Sequence, residues 1–194
     1  MVHIRIKEIE EYASINNIPI MQKDGIEFLT EYIKNNNIKS ILEIGSAIGY
    51  SAIKMALVSD DIKVTTIERD KERYDLAIQN IDDFKLQDRI TIINDDALYT
   101  NIEGKFDLIF IDAAKSQYIK FFEKYENNLN KDGAIVTDNL SFHGLVEDET
   151  KTNNRNTKQL VRKIKKYIDY LNNNNNYDTK FYKLGDGIAI SKKK

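Results

Sequence analysis

The chain has 194 residues, enough for one α/β domain with its own core, and its net charge of −2 excludes a global basic field of the kind that announces a nucleic-acid partner. Hydrophobic residues make up 41% and charged residues 31%, and no apolar run approaches the roughly 18 residues a membrane span needs. There is no cysteine, which excludes disulfides and thiolate metal sites, and the charged start from Met1 to Glu11 lacks a signal-peptide core, so a cytoplasmic location is expected.

In chain order, Ile4 to Asn16 reads as a helix, and Gln22 to Asn35 as a second helix after Pro19. Lys39 to Ile44 is a short apolar run ending at Gly45, the pattern of a buried strand. Ser51 to Val58 reads as helix, Lys63 to Glu68 as a strand ending on an acid, and Asp70 as the N-cap of a helix to about Asp83. Ile90 to Ile93 and Phe106 to Ile111 are the next strands. Ser116 is placed to cap a helix reaching Leu129, with Gly133 near its end, before a strand from Ala134 to Thr137. Thr157 to Leu171 is a helix. Thr179 to Lys183 and Ile188 to Ser191 are strands joined by Leu184-Gly185-Asp186-Gly187. Alternating strands and helices predict a mostly parallel α/β sheet covered on both faces, closed by a hairpin with one antiparallel strand. With no repeat and no internal linker, residues 1–194 form a single domain, with N-terminal helices over 1–36 and the sheet over 37–194.

Open α/β sheets bind ligands at the carboxyl ends of their strands. After the first strand comes Gly45-Ser46-Ala47-Ile48-Gly49, where glycine permits a tight turn and close approach to a ligand. Ala47 takes the second glycine position of the dinucleotide pattern, so that pattern is not met. Taken alone, this is a turn needing two glycines. Glu68 ends the second strand, where a carboxylate can accept both ribose hydroxyls. Asp95-Asp96-Ala97 ends the third, where a carboxylate can accept an adenine amino group. The three together fit one nucleoside.

The fourth strand ends at Asp112, followed by Ala113-Ala114-Lys115, and the fifth at Asp138-Asn139. Singly, Asp112 reads as a turn cap and Asp138-Asn139 as an Asx-turn. Side by side, the two carboxylates and one amide are hard oxygen ligands that suit Mg²⁺ or a similar ion. Zinc fits poorly, since the only histidines are His3 and His143. Lys115, three residues past Asp112, is a candidate general base.

The series Glu43-Ile44-Gly45-Ser46 with Gly49-Tyr50-Ser51, Glu68, Asp96-Ala97, Asp112-Ala113-Ala114-Lys115 with Tyr118, Asp138-Asn139 and Gly185-Asp186-Gly187 resembles the metal-dependent O-methyltransferases, the family of the catechol and caffeoyl-CoA enzymes. The resemblance runs from about Pro19 to Lys192. It implies a Rossmann-like, seven-stranded sheet in the order 3-2-1-4-5-7-6 with strand 7 antiparallel, S-adenosyl-L-methionine as methyl donor, and a homodimer. Glu43, Gly45 and Ser51 would surround the methionine part of the donor, with Met21 contributing backbone. Glu68 would bind ribose, and Asp96 and Ala97 adenine. Ser46, Gly49, Tyr50, Arg69 and Asp112 complete the implied donor contacts. Asp112, Asp138 and Asn139 would hold the metal, with Lys115 as base and Asp112 beside it.

Such a metal site requires an acceptor with two adjacent oxygens, a condition met by catechols and by 5-hydroxyuridine. Catechol enzymes commonly place a tryptophan after the Asp-Asn pair. Here Leu140-Ser141-Phe142-His143 follows, and the chain has no tryptophan. Between Lys151 and Lys166 there are seven Lys or Arg and no acid. This run reads either as a solvated helix face or, through Arg155 and Lys158, as a contact to phosphates flanking a flipped-out base. Phe142 and His143 are placed to stack on such a base. These features are similar to the bacterial branch that methylates 5-hydroxyuridine at the tRNA wobble position, and the expected partner is a tRNA anticodon stem-loop. Small catechols or related vicinal diols remain the alternative acceptor.

Overall fold

The computed structural model describes residues 2–194. Helices α1 (Val2–Ile15) and α2 (Lys23–Asn35) precede β1 (Ser40–Ile44), α3 (Tyr50–Ala56), β2 (Lys63–Glu68), α4 (Lys71–Asp83), β3 (Ile90–Asn94) and β4 (Phe106–Ile111). Then follow α5 (Tyr118–Tyr125), β5 (Leu129–Thr137), α6 (Arg155–Asn173), β6 (Tyr177–Tyr182) and β7 (Ile188–Lys193).

Local signals account for the helices. In α2, buried Ile26, Leu29 and Ile33 recur every three or four residues and turn one face inward. Asp70 caps α4, its Oδ1 accepting from the Arg73 N–H at 3.0 Å. Asn154 caps α6 by accepting from the N–H groups of Asn156 and Thr157, so that helix starts two residues before Thr157. Val161, Ile164, Tyr167 and Leu171 form its buried stripe.

The seven strands lie in the order β3-β2-β1-β4-β5-β7-β6. All neighbours are parallel except β7, which runs antiparallel to both β5 and β6. Strand residues alternate between two cores: Leu108 and Phe110 pack with α1 to α4, while Ile109 and Ile111 pack with α5 and α6. Burial on both faces explains why the central strands read as continuous apolar runs. The chain winds outward from β1 to β3, then returns to β4, so the switch in direction falls between β1 and β4. Among the described residues no helix is long and apolar enough to cross a membrane.

One segment departs from expectation. The helix after Lys115 ends at Tyr125, not Leu129, and Ser116 lies in a 3₁₀ turn (Lys115–Gln117) rather than capping it. β5 starts at Leu129, five residues early, with Gly133 inside the strand. Phe106 pairs with Leu129 but Leu108 with Ala134, so β5 bulges across Lys131-Asp132-Gly133. A Cβ on Gly133 would lie 2.9 Å from the Asp107 carbonyl oxygen; glycine serves strand packing here, not a helix end.

Candidate active site

The site is built on consecutive strand ends at the carboxyl edge of the sheet. At the end of β1, Gly45 has φ +94°, and a Cβ there would fall 2.3 Å from the Asp112 carbonyl oxygen. The Gly45 N–H donates to the Ile67 carbonyl (2.9 Å) and the Asp112 N–H to the Ile44 carbonyl (3.0 Å), extending the ladder beyond the strands. Gly49 backs onto Ala77 of α4 and shapes the turn without lining the cavity.

Two acids brace this turn from inside. Glu43 is fully buried; its Oε2 accepts from the Thr66 hydroxyl at 2.6 Å, while Oε1 has no hydrogen-bond partner. Burial pushes its carboxyl up to about 7 against the pull of the Ser51 and Thr66 hydroxyls. Glu68 Oε2 accepts from the Ala47 N–H (2.9 Å) and Oε1 from the Asp70 N–H (2.8 Å), so this acid ties the β1–α3 turn to the start of α4. In the β3 loop, Asp96 Oδ1 accepts from the Leu98 N–H (2.8 Å), and Arg69 lies 3.9 Å from Oδ2. The Ala97 carbonyl accepts from the Tyr125 hydroxyl at 2.6 Å, which anchors the loop to α5.

A cavity of about 780 Å³ runs along these ends. Met21, Gly45, Ser46, Tyr50 and Ser51 line one part, and Glu68, Arg69, Asp96 and Ala97 continue it. Asp112, Lys115, Asn139, Phe142 and His143 close the other end. Of the residues given a site role in the sequence, Glu43, Gly49, Asp138, Arg155 and Lys158 do not line it.

At the closed end, β4 and β5 pair through Ile111 and Thr137, which sets Asp112 beside Asp138. Asp138 is buried, its Oδ1 has no partner, and burial followed by the charge of Asp112 pushes its carboxyl up to about 7. Desolvation also raises Asp112, opposed by Lys115. Lys115 Nζ donates to Asn139 Oδ1 at 2.8 Å and lies 5.8 Å from the centre of the Phe142 ring. The Phe142 and His143 ring centres are 5.6 Å apart. No three His, Asp or Glu side chains among the described residues are grouped as metal ligands; two aspartates, an amide and a lysine meet instead.

Asp186 is a site residue to which the sequence reading assigns no role, although Gly185-Asp186-Gly187 is among the motifs that carry the resemblance. It is buried, lines the cavity, and contacts Asn139 and His143. Its signal lies in Gly185-Asp186-Gly187, which also reads as an ordinary hairpin turn. The basic run also changes in space: Lys165 pairs with Glu149 at 2.6 Å, and that bond holds the Glu149 carboxyl below its usual range. Arg155, Arg162, Lys163 and Lys166 remain exposed.

A nucleoside-sized cavity at the switch point of a 3-2-1-4-5-7-6 sheet with an antiparallel seventh strand defines a Rossmann-like methyltransferase. The chain belongs to the O-methyltransferase family, whose model matches residues 2–194, and is an S-adenosylmethionine-dependent O-methyltransferase similar to the caffeoyl-CoA enzymes. A caffeoyl-CoA O-methyltransferase of Populus kitakamiensis is 27% identical over 205 residues, covering 98% of this chain and 87% of the relative. A Staphylococcus aureus structure, provisionally named a caffeoyl-CoA O-methyltransferase, superposes with TM-score 0.94 at 41% identity over 97% of this chain and 92% of that one. A Podospora anserina methyltransferase bound to S-adenosylhomocysteine shares the fold, with TM-score 0.89 at 22% identity over 98% of this chain and 88% of that one.

Proposed function

We propose that the protein methylates the 5-hydroxyl of 5-hydroxyuridine at the tRNA wobble position, giving 5-methoxyuridine. The observation carrying the acceptor is the pair of rings Phe142 and His143 at the cavity end that holds Lys115 and Asn139. Adjacent aromatic faces give an extruded base a stacking surface, and the basic α6 begins shortly after this loop.

The residues fit a divalent cation. Asp138 Oδ1 is buried with nothing to bond to, and burial followed by the charge of Asp112 raises the cost of ionising Asp138. Asp112, Asp138 and Asn139 would hold Mg²⁺ or a similar ion through oxygen alone. Such an ion would favour the ionised acceptor oxygen and fix its position. The chain's own residues do the rest. Gly45, Ser46 and Ser51 cradle the donor, Glu68 and Asp96 hold its nucleoside, and Lys115, as the neutral amine left once its own proton has gone to solvent, takes the acceptor's hydroxyl proton. The S–CH₃ bond breaks as the O–CH₃ bond forms, and the electron pair stays on sulfur. Holding methyl and oxygen in line supplies much of the rate gain.

The test is metal-stripped protein resupplied with MgCl₂ and labelled S-adenosylmethionine, offered hydroxyuridine-containing tRNA or a catechol. Label is expected in the tRNA and is abolished by chelator. A second reading, methylation of small vicinal diols, is favoured by the similarity to a caffeoyl-CoA enzyme over 98% of the chain. Label in the catechol alone decides for it.

A further inference from the structure

The turn between β6 and β7 is clasped on two sides. Gly185 (φ +54°) lies against the first turn of α2, where an added Cβ would sit 3.4 Å from the Gly25 backbone. Gly187 (φ +86°) lies against the loop after β5, where an added Cβ would sit 2.7 Å from the Ser141 nitrogen. Between these glycines, Asp186 enters the protein with its side chain 3% exposed.

Asp186 holds the acceptor loop by both backbone and side chain. Its carbonyl accepts from the Ser141 N–H at 2.7 Å, and the Gly187 carbonyl accepts from the Leu140 N–H at 2.9 Å. Its Oδ1 accepts from the His143 N–H, and His143 Nδ1 lies 3.7 Å from the same oxygen. Its Oδ2 accepts from Asn139 Nδ2 at 3.4 Å. The loop needs holding. Asn139, Phe142 and His143 have φ of +62°, +48° and +58°, a left-handed backbone that costs a non-glycine residue roughly 1–2 kcal/mol each.

We propose that Asp186 is a positioning residue that fixes which end of the Asn139 amide faces the reaction centre; this deepens the metal-assisted reading of the site and rests on it. An asparagine amide has two nearly isosteric ends, one acceptor and one donor. Before Lys115 gives up a proton to act as base, the amide lies between its ammonium, which only donates, and the Asp186 carboxylate, which only accepts. With Oδ1 toward Lys115, both contacts are attractive. A flipped amide would set NH₂ against NH₃⁺ and oxygen against carboxylate. The two poles together aim the Asn139 oxygen at the end of the cavity where Asp112 and Lys115 stand. The same carboxylate sets the backbone of His143, and with it the tilted pair of rings, Phe142 and His143.

The test is Asp186→Asn, which keeps size and shape. Whichever way the new amide turns, its NH₂ faces either the His143 N–H or Asn139 Nδ2. Mn²⁺ binding, followed by electron paramagnetic resonance, is expected to weaken by about 10–100-fold, as for other groups that orient metal ligands. S-adenosylhomocysteine binding, by calorimetry, is expected to stay within about twofold of the wild type. A second background separates orientation from general support. Asn139→Asp supplies two equivalent oxygens, so no amide is left to orient, and Asp186→Asn added to it is expected to cost no further Mn²⁺ affinity. Equal losses in both backgrounds, or joint loss of Mn²⁺ and S-adenosylhomocysteine binding, would mean a merely structural role and overturn the inference. So would wild-type Mn²⁺ affinity in the single variant. A wild-type protein that takes no Mn²⁺ overturns the metal reading itself, and this inference with it.

Discussion

Lys115 Nζ reaches across the ends of β4 and β5 to donate a 2.8 Å hydrogen bond to Asn139 Oδ1. The contact joins the proposed base to a proposed metal ligand, and both line the cavity with Asp112. Substituting Lys115 by Met keeps the stem and removes the amine. Turnover is expected to fall by about 10²–10⁴-fold, the usual worth of a positioned acid or base. S-adenosylhomocysteine affinity, by calorimetry, should change little. Near-normal turnover would remove Lys115 from the chemistry.

Glu43 predicts an unusual pH dependence of stability. Its folded carboxyl is raised to about 7 from 4.5, chiefly by burial. Below about 4.5 both folded and unfolded states hold the proton. Between there and about 7 only the folded state does, so its contribution falls as pH rises and levels off above. The total is on the order of 3 kcal/mol by linkage. Glu43→Gln is therefore expected to raise the Tm of ligand-free, metal-free protein at pH 8, and less so at pH 5. Each kcal/mol is worth about 2–4 °C in a domain of this size. Scanning calorimetry at the two pH values checks the sign.

Two glycines with similar φ separate steric from conformational cost. Gly45 (φ +94°) would drive a Cβ to 2.3 Å from the Asp112 carbonyl oxygen; Gly104 (φ +90°) has nothing within 4 Å. Gly104→Ala should cost only the backbone strain, about 1–2 kcal/mol. Gly45→Ala adds overpacking between β1 and β4, for about 2–5 kcal/mol in all, and should weaken donor binding. Urea melts of the two variants give the difference directly. Equal losses would show that the contact between the two strand ends relaxes freely.

Much of this site was legible before folding because parallel α/β sheets gather ligands at strand ends, and each strand here ends on a marked residue. Gly45, Glu68, Asp96 and Asp112 follow apolar runs that carry their own boundaries. Asp186 was less legible. A lone acid between two glycines reads as a turn, and only the antiparallel insertion of β7 beside β5 brings it to Asn139. The start of β5 was hidden for a similar reason. Lys131-Asp132-Gly133 looks like a helix stop in one dimension, and its bulge appears only in pairing with β4. Glu149 is a third case: it stands outside the helix that carries the basic run, and the fold alone lays it on Lys165.

That pairing sharpens the last prediction. Lys165 is half-buried and already bonded to Glu149, so it is a poor candidate for an RNA phosphate. Arg155, exposed at the first turn of α6, and Lys158 one turn on are the first two cations of that helix. Reversing both to Glu should weaken tRNA binding and lower the slope of log affinity against log salt by roughly one for each phosphate the protein no longer neutralises. S-adenosylhomocysteine binding should be unchanged, since neither residue lines the cavity. Lys165→Glu serves as the contrast. It breaks the bond to Glu149 and should cost stability more than it alters the salt slope. Fluorescence anisotropy on an anticodon stem-loop at several salt concentrations reads all three proteins. An unchanged slope in the double reversal would assign the α6 face to solvent and leave the acceptor to be found among small diols.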